Sequence, residues 1–174
     1  MKIFPAIDIK DKKCVRLLKG DFDTKTEYAM SPVEQARKYK DHGFKNLHIV
    51  DLDGALTGET VNLDIIQKIV KNFDLKIEVG GGVRSMDNIQ KYTDAGVEKV
   101  ILGSAAIKDK NFLKEACKKF PNQIALGLDA KDGYLSVSAW KENSNKLTLD
   151  YLKEVNDFGA SRLIYTDIDQ DGMK

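Results

Sequence analysis

The sequence predicts an α/β fold and, within that class, a (β/α)8 TIM barrel truncated after strand six. Two observations carry the prediction. Short apolar runs alternate with amphipathic stretches along the chain, the pattern of βαβ units that place helices outside a parallel sheet. The chain also repeats itself. With Asp8 set on Asp129, AIDIKDKK falls on GLDAKDGY; with Val50 set on Thr166, HIVDLDGA falls on IYTDIDQD. Both matches lie at nearly constant spacing, roughly 116 to 121 residues, so the fifth and sixth strand units repeat the first and second. Four units per repeat make eight. Counterparts of the third and fourth units are then expected beyond Lys174, which would bring the chain to about 240 residues, near the ~250 typical of such barrels. The expectation for residues 1–174 is a single barrel domain, incomplete at its C-terminus. Its two open sheet edges and exposed interior favour poor solubility or completion by another chain.

The elements follow in order. Ile3 to Ile9 is short, apolar and β-branched enough for a buried parallel strand. Lys10 to Tyr28 reads as a long polar connection with a small hairpin at Cys14–Leu18. Ser31-Pro32-Val33-Glu34 is a capping box with Pro at the first helical position, and Gly43 ends that helix. Asn46 to Leu52 is the second strand, with Asp51-Leu52-Asp53-Gly54 at its exit; a helix over Asn62–Asn72 carries Leu63, Ile66, Ile69 and Val70 on one stripe. Leu75–Val79 is the third strand, Ser85–Ala95 a helix closed by Gly96, and Glu98–Leu102 the fourth strand. Asp109–Phe120 is helical, Gln123–Asp129 the fifth strand, and Gly133–Trp140 alternates like a hairpin. Leu147–Phe158 is a helix capped by Thr148 and followed by Gly159; Arg162–Asp167 is the sixth strand.

At 174 residues and 42% hydrophobic composition the chain can bury a real core. Its 28 Lys+Arg against 27 Asp+Glu leave a net charge of +1, which favours neither nucleic acid nor an acidic membrane. No apolar run reaches the length of a membrane span, and Met1 leads straight into KIFPAIDI without a signal-peptide pattern, so a cytoplasmic location is expected. Cys14 and Cys117 lack metal-ligand spacing and read as free thiols, and His42 and His48 are too few for a classical zinc site.

KIEVGGGVRS, Lys76 to Ser85, puts three consecutive glycines between a strand and a helix. Such a loop brings bare N–H groups and the positive end of a helix dipole close to a guest, and a phosphate suits both. It matches neither GxGxxG nor the P-loop pattern, so a plain tight turn competes with that reading. One unit later KVILGSA ends in Gly103 and Ser104, a second set of donors for the same phosphate. In barrels of this kind the active site lies at the C-terminal ends of the strands. Asp8 and Asp129 end strands one and five, on opposite sides of one mouth, and two such carboxylates can divide into a base and an acid.

Together IFPAIDI, RLLKGDFDTKTEY, LHIVDLDGA, VGGGVRS, ILGSAAI, GLDAKDG and YTDIDQDGM resemble the histidine-biosynthesis isomerases that convert phosphoribosylformimino-5-aminoimidazole carboxamide ribotide (ProFAR) to its ribulosyl form. The resemblance runs along the whole chain. The cyclase subunit of imidazole glycerol phosphate synthase is a related family that shares the barrel and the triple glycine, but it carries Cys-Leu-Asp at strand one. Ala6-Ile7-Asp8 and HIVDLDGA favour the isomerase. A third reading, motivated by the missing strands, is a catalytically silent barrel fragment kept for folding or assembly.

The resemblance implies an Amadori rearrangement of an aminoaldose to a ketose, with Asp8 as proton acceptor and Asp129 as proton donor. Asp171 also matches a family active-site carboxylate and is the alternative donor. Thr166 corresponds to a residue that holds the substrate; His48 and Arg84 are expected to contact it, and Trp140 to lie in a loop that folds over it. For His48 a hydrogen-bonded core histidine, and for Trp140 simple packing, are the competing readings. Gly81, Gly82, Gly103 and Ser104 would hold one phosphate of a bis-phosphorylated small-molecule substrate, the second phosphate site belonging to strands seven and eight. No cofactor and no metal is signalled. The full-length protein is expected to be a monomer.

Overall fold

Ser31, Pro32 and Glu34 start the first helix as their spacing requires. The Ser31 hydroxyl oxygen accepts from the Glu34 N–H at 3.3 Å, and the Glu34 carboxylate accepts from the Ser31 N–H at 2.8 Å. In the computed structural model, which describes residues 1–18, 20–137 and 142–171, this helix is α1, Pro32–Asp41. Before it come strands β1 (Ala6–Lys10), β2 (Lys13–Leu18) and β3 (Asp21–Glu27). After it come β4 (Asn46–Asp51), α2 (Leu52–Thr57), α3 (Leu63–Asn72), β5 (Lys76–Gly80), α4 (Met86–Asp94), β6 (Lys99–Leu102), α5 (Ser104–Lys108) and α6 (Lys110–Lys119). The chain continues through β7 (Ile124–Lys131), β8 (Tyr134–Val137), β9 (Glu142–Leu147), α7 (Thr148–Val155) and β10 (Arg162–Asp167).

The result is an α/β fold with a mixed sheet, and it groups into two units: Met1–Arg16 with Lys25–Val100, and Leu17–Thr24 with Ile101–Lys174. In the first unit β1, β4 and β5 are parallel, and Lys99 and Val100 extend the ladder on β5. Parallel partners share a face, so Ile7, Ile9, Leu47, Ile49, Ile77 and Val79 form one buried layer. Helices bury their apolar stripes as Ala36, Ile66, Ile69, Ile89 and Tyr92, all fully buried. In the second unit β10 runs parallel to β7, β8 folds back antiparallel on it, and Leu113, Ala116, Leu128, Leu135 and Tyr151 are buried.

The internal repeat holds at the level of hydrogen-bond register. Asp8 pairs with Val50 across β1 and β4, and Asp129 pairs with Thr166 across β7 and β10. Each first strand then turns into an antiparallel partner, Lys10 opposite Lys13 and Lys131 opposite Tyr134. The turns match as well, with φ of 50° and 66° at Asp11 and Lys12 and of 52° and 80° at Asp132 and Gly133, the double positive φ of a type I′ hairpin.

Some element expectations are corrected. Most of Lys10 to Tyr28 is strand, with Cys14, Val15 and Leu17 burying apolar side chains around an exposed Arg16. The stripe of α3 is Ile65, Ile66 and Ile69, with Leu63 and Val70 only half-buried. Thr148 does not cap α7: Leu147 holds the cap position, and the Thr148 hydroxyl donates to the Gly133 carbonyl at 2.9 Å. Two short helices, α2 and α5, occupy stretches that read as loop. Among the described residues no helix is long and apolar enough to cross a membrane.

Candidate active site

In the first unit the sheet face opposite the buried layer carries Ala6, Asp8 and Lys10 of β1, His48 and Val50 of β4, and Glu78 of β5. Asp8 and His48 therefore lie on one face of neighbouring strands. His48 Nδ1 stands 2.8 Å from the Glu78 carboxylate, which is 5% exposed. That bond orients the ring from one side, and His48 keeps a partly exposed side chain. In the second unit Asp129 and Thr166 face the same way on adjacent strands, each half-buried. Asp171 follows the turn after β10, where its N–H donates to the Asp167 carbonyl at 3.0 Å. Gly103 and Ser104 begin α5. Trp140 lies outside the described residues.

The triple glycine runs from the end of β5 to the N-terminus of α4, capped by Ser85, whose hydroxyl oxygen accepts from the Asn88 N–H at 3.1 Å. Gly81 and Gly82 have φ of +104° and +72°, where a side chain is penalised. Space imposes the same choice. A Cβ on Gly81 would stand 2.2 Å from the Asp51 carbonyl oxygen, and one on Gly82 would stand 1.7 Å from that of Gly54. The loop packs backbone to backbone against the turn joining β4 to α2, which by itself requires glycine at both positions. At Gly103 a Cβ would meet nothing nearer than 3.7 Å, so packing does not demand glycine there.

Arg84 follows the glycines. Its Nη2 donates to the Ala55 carbonyl at 2.8 Å, and its N–H donates to Asn88 Oδ1 at 3.1 Å. The guanidinium thus ties the loop to α2. Beneath the loop lies a group that sequence reading missed. The Asp51 carboxylate, fully buried, accepts from the Gly54 N–H (2.9 Å), the Asn62 N–H (2.9 Å), Asn62 Nδ2 (2.7 Å) and the Tyr92 hydroxyl (3.4 Å). Asp51 sits in an apolar strand register that ordinarily takes Val or Ile, and a lone acid at such a position is the one signal that the sequence offered.

Lys10 and Asp53 show how the loops after the strands are tied. The Asp53 carboxylate accepts from the Lys10 ammonium at 3.4 Å, the Asp11 N–H at 2.8 Å and Asn62 Nδ2 at 2.9 Å. Burial works to raise its pKa, but the bonds from Asn62, Asp11 and Lys10 outweigh it and hold the carboxyl below its ordinary range. The second unit repeats the tie with Lys131 and Asp169 at 3.0 Å. A cavity of about 250 Å³ lies against Asp11, Lys12, Asp53 and Asn62, and none of the site residues expected from sequence lines it.

The model of the family described as histidine biosynthesis protein matches residues 2–174. A protein of Pelagibacter ubique is 85% identical over 174 residues, all of this chain and 73% of that protein. One from Clostridium kluyveri is 49% identical over 172 residues (99% and 72%), and one from Oceanobacillus iheyensis 46% over 173 residues (99% and 72%). All three are named 1-(5-phosphoribosyl)-5-((5-phosphoribosylamino)methylideneamino)imidazole-4-carboxamide isomerase.

Proposed function

The chain belongs to the histidine biosynthesis protein family, and on that premise we propose that it catalyses the isomerisation named for its relatives, ProFAR to its phosphoribulosyl isomer. The observation that carries this is 85% identity over all 174 residues to a protein of that name. The duplicated register around Asp8 and Asp129 supports reading residues 1–174 as one barrel domain with an acid at each equivalent strand.

The reaction is an isomerisation with no net change in protons or electrons, and its ring opening and enolisation need an acid and a base. An acid protonates the ring oxygen of the aminoribose, the C1–O bond breaks, and the nitrogen lone pair forms a C1 iminium. A base then removes the C2 proton, and its electron pair forms a C1=C2 double bond as the iminium π pair returns to nitrogen. The enaminol so formed loses its C2 hydroxyl proton and gains one at C1 to leave the C2 ketone. Asp8 is assigned as the base and Asp129 as the acid, with Asp171 the alternative donor; Thr166, in register with Asp129, would hold the sugar. Gly81 and Gly82, with Gly103 and Ser104, would receive one phosphate, the first pair backed by the N-terminus of α4. His48 and Arg84 would contact the substrate beside their bonds to Glu78 and Ala55.

The test is conversion of ProFAR by the purified chain, read by chromatography of the ketose product. Asp8→Asn and Asp129→Asn are each expected to lower turnover by about 10²–10⁴. Near-normal rates in both refute the assignment, and a fall in Asp171→Asn with activity kept in Asp129→Asn moves the acid to Asp171. Release of an imidazole glycerol phosphate when the ribulosyl isomer and ammonia are supplied would place the chain with the cyclases instead.

A further inference from the structure

Two facts about the glycine loop stand apart from any ligand. It lies so close to the β4–α2 turn that its Cα atoms approach Asp51 and Gly54 backbone directly. That turn is built around one buried carboxylate with four donors, which fills the acceptor capacity of the group. The Gly54 N–H belongs to the turn itself. Asn62 starts α3, and Tyr92 lies on α4, the helix into which the glycine loop runs. Both ends of the loop are thereby referred to the same point: Gly80 through its register with Val50, one residue before Asp51, and α4 through Tyr92. Burial first, then the neighbouring Asp51 charge, raises the Tyr92 phenol above its ordinary range, so it remains a donor at any working pH.

We infer that Asp51 is a positioning residue for the phosphate-binding loop: its carboxylate, bonded by Asn62 and Tyr92, sets the turn on which Gly81 and Gly82 rest and so sets where their N–H groups meet the phosphate. The inference rests on the phosphate reading of the loop given above. A buried charge with a full set of fixed donors is stiff, because any displacement leaves a donor or an acceptor unpaired in a low-dielectric interior. Asp51→Asn keeps the shape but replaces one acceptor oxygen with an NH2 that faces a donor. The turn must then shift to relieve the clash, and the glycine backbone has no side chain to absorb the movement.

The experiment titrates inorganic phosphate into the 15N-labelled chain and follows the Gly81 and Gly82 amide signals. The wild-type signals are expected to shift, and Asp51→Asn to bind phosphate at least tenfold more weakly at a temperature where it is fully folded. Tyr92→Phe, which removes one of the four donors and keeps the buried ring, is expected to bind about threefold more weakly. Leu113→Ala, a cavity in α6 of the second unit, controls for lost stability and is expected to keep wild-type affinity. Equal affinity in wild type and Asp51→Asn overturns the inference, as does an equal loss in Leu113→Ala. Should Asp51→Asn give no cooperative melt, Tyr92→Phe decides, and wild-type affinity there is the refuting result. Wild-type signals that ignore phosphate overturn the phosphate reading, and the inference with it, in a way the variants do not.

Discussion

Gly82→Ala tests the packing of the glycine loop without reference to any ligand. The added Cβ would stand 1.7 Å from the Gly54 oxygen, 2.2 Å from its carbonyl carbon and 2.9 Å from the Ala55 nitrogen. All three are backbone atoms, so no flexible side chain can swing away. The left-handed φ of +72° costs a non-glycine residue about 1–2 kcal/mol. Forcing an atom into a filled space costs typically ~1–3 kcal/mol more, and this overlap is severe enough for the upper end of that range or beyond. The sum is a loss of about 4–5 kcal/mol or more. Gly43→Ala is the matched control: φ there is +84°, yet a Cβ would meet nothing within 4 Å. Only the backbone penalty applies to it, partly offset by ~0.4–1 kcal/mol from the stiffer unfolded chain. Urea unfolding followed by far-UV circular dichroism separates the two. A difference of at least ~2 kcal/mol corresponds to a midpoint about 1 M lower for Gly82→Ala, given slopes of ~1–3 kcal/mol per M. Midpoints within a few tenths of that value of each other would refute the reasoning.

Three further outcomes follow from other parts of the molecule. Ser31→Ala removes half of a capping box and is expected to cost about 1 kcal/mol in the same urea assay, an unchanged midpoint counting against the cap. The Cys14 thiol is pushed up to about 11, by burial first and then by the Asp8 and Glu34 charges, from an ordinary value of 9.0. The folded state therefore holds that proton after the unfolded state has lost it, so stability is retained below pH 9 and falls between pH 9 and 11. The fall is of order 2–3 kcal/mol, and Cys14→Ala is expected to flatten that slope. Among the described residues β10 pairs with β7 alone, and Leu163 and Tyr165 on it are 46% and 52% exposed. An apolar edge of that kind favours self-association, which light scattering is expected to detect and Tyr165→Lys to reduce; identical scattering by both proteins would refute it.

Much of the architecture was legible because it is written locally. Asp11-Lys12 and Asp132-Gly133 take the positive φ of tight turns, and the strands before them are largely apolar, so the repeat that aligned Asp8 with Asp129 and Val50 with Thr166 returns as identical register in the two units. Ser31-Pro32-Val33-Glu34 and the glycines after the helices worked for the same reason: a cap or a positive φ involves only a few consecutive residues. Where burial depends on distant partners the signal failed. Lysines and arginines hid the strand around Val15 and Leu17, and the Thr148 hydroxyl turned to Gly133, fifteen residues away, instead of capping its own helix.

The site divides along the same line. Sequence alone established which strands carry acids and where the glycines fall, and its motifs carried the family resemblance. The strands of Asp8 and Asp129 do not end at those acids but run two residues past them, to Lys10 and Lys131, because each continues into a hairpin. Only the tertiary structure decided that Gly81 and Gly82 are glycines because Asp51 and Gly54 leave no room for a side chain, and that Asp51 is buried among donors from Gly54, Asn62 and Tyr92. The physical reason is that steric exclusion and the satisfaction of a buried charge are settled between atoms up to 41 residues apart in sequence, and no local pattern records such a distance.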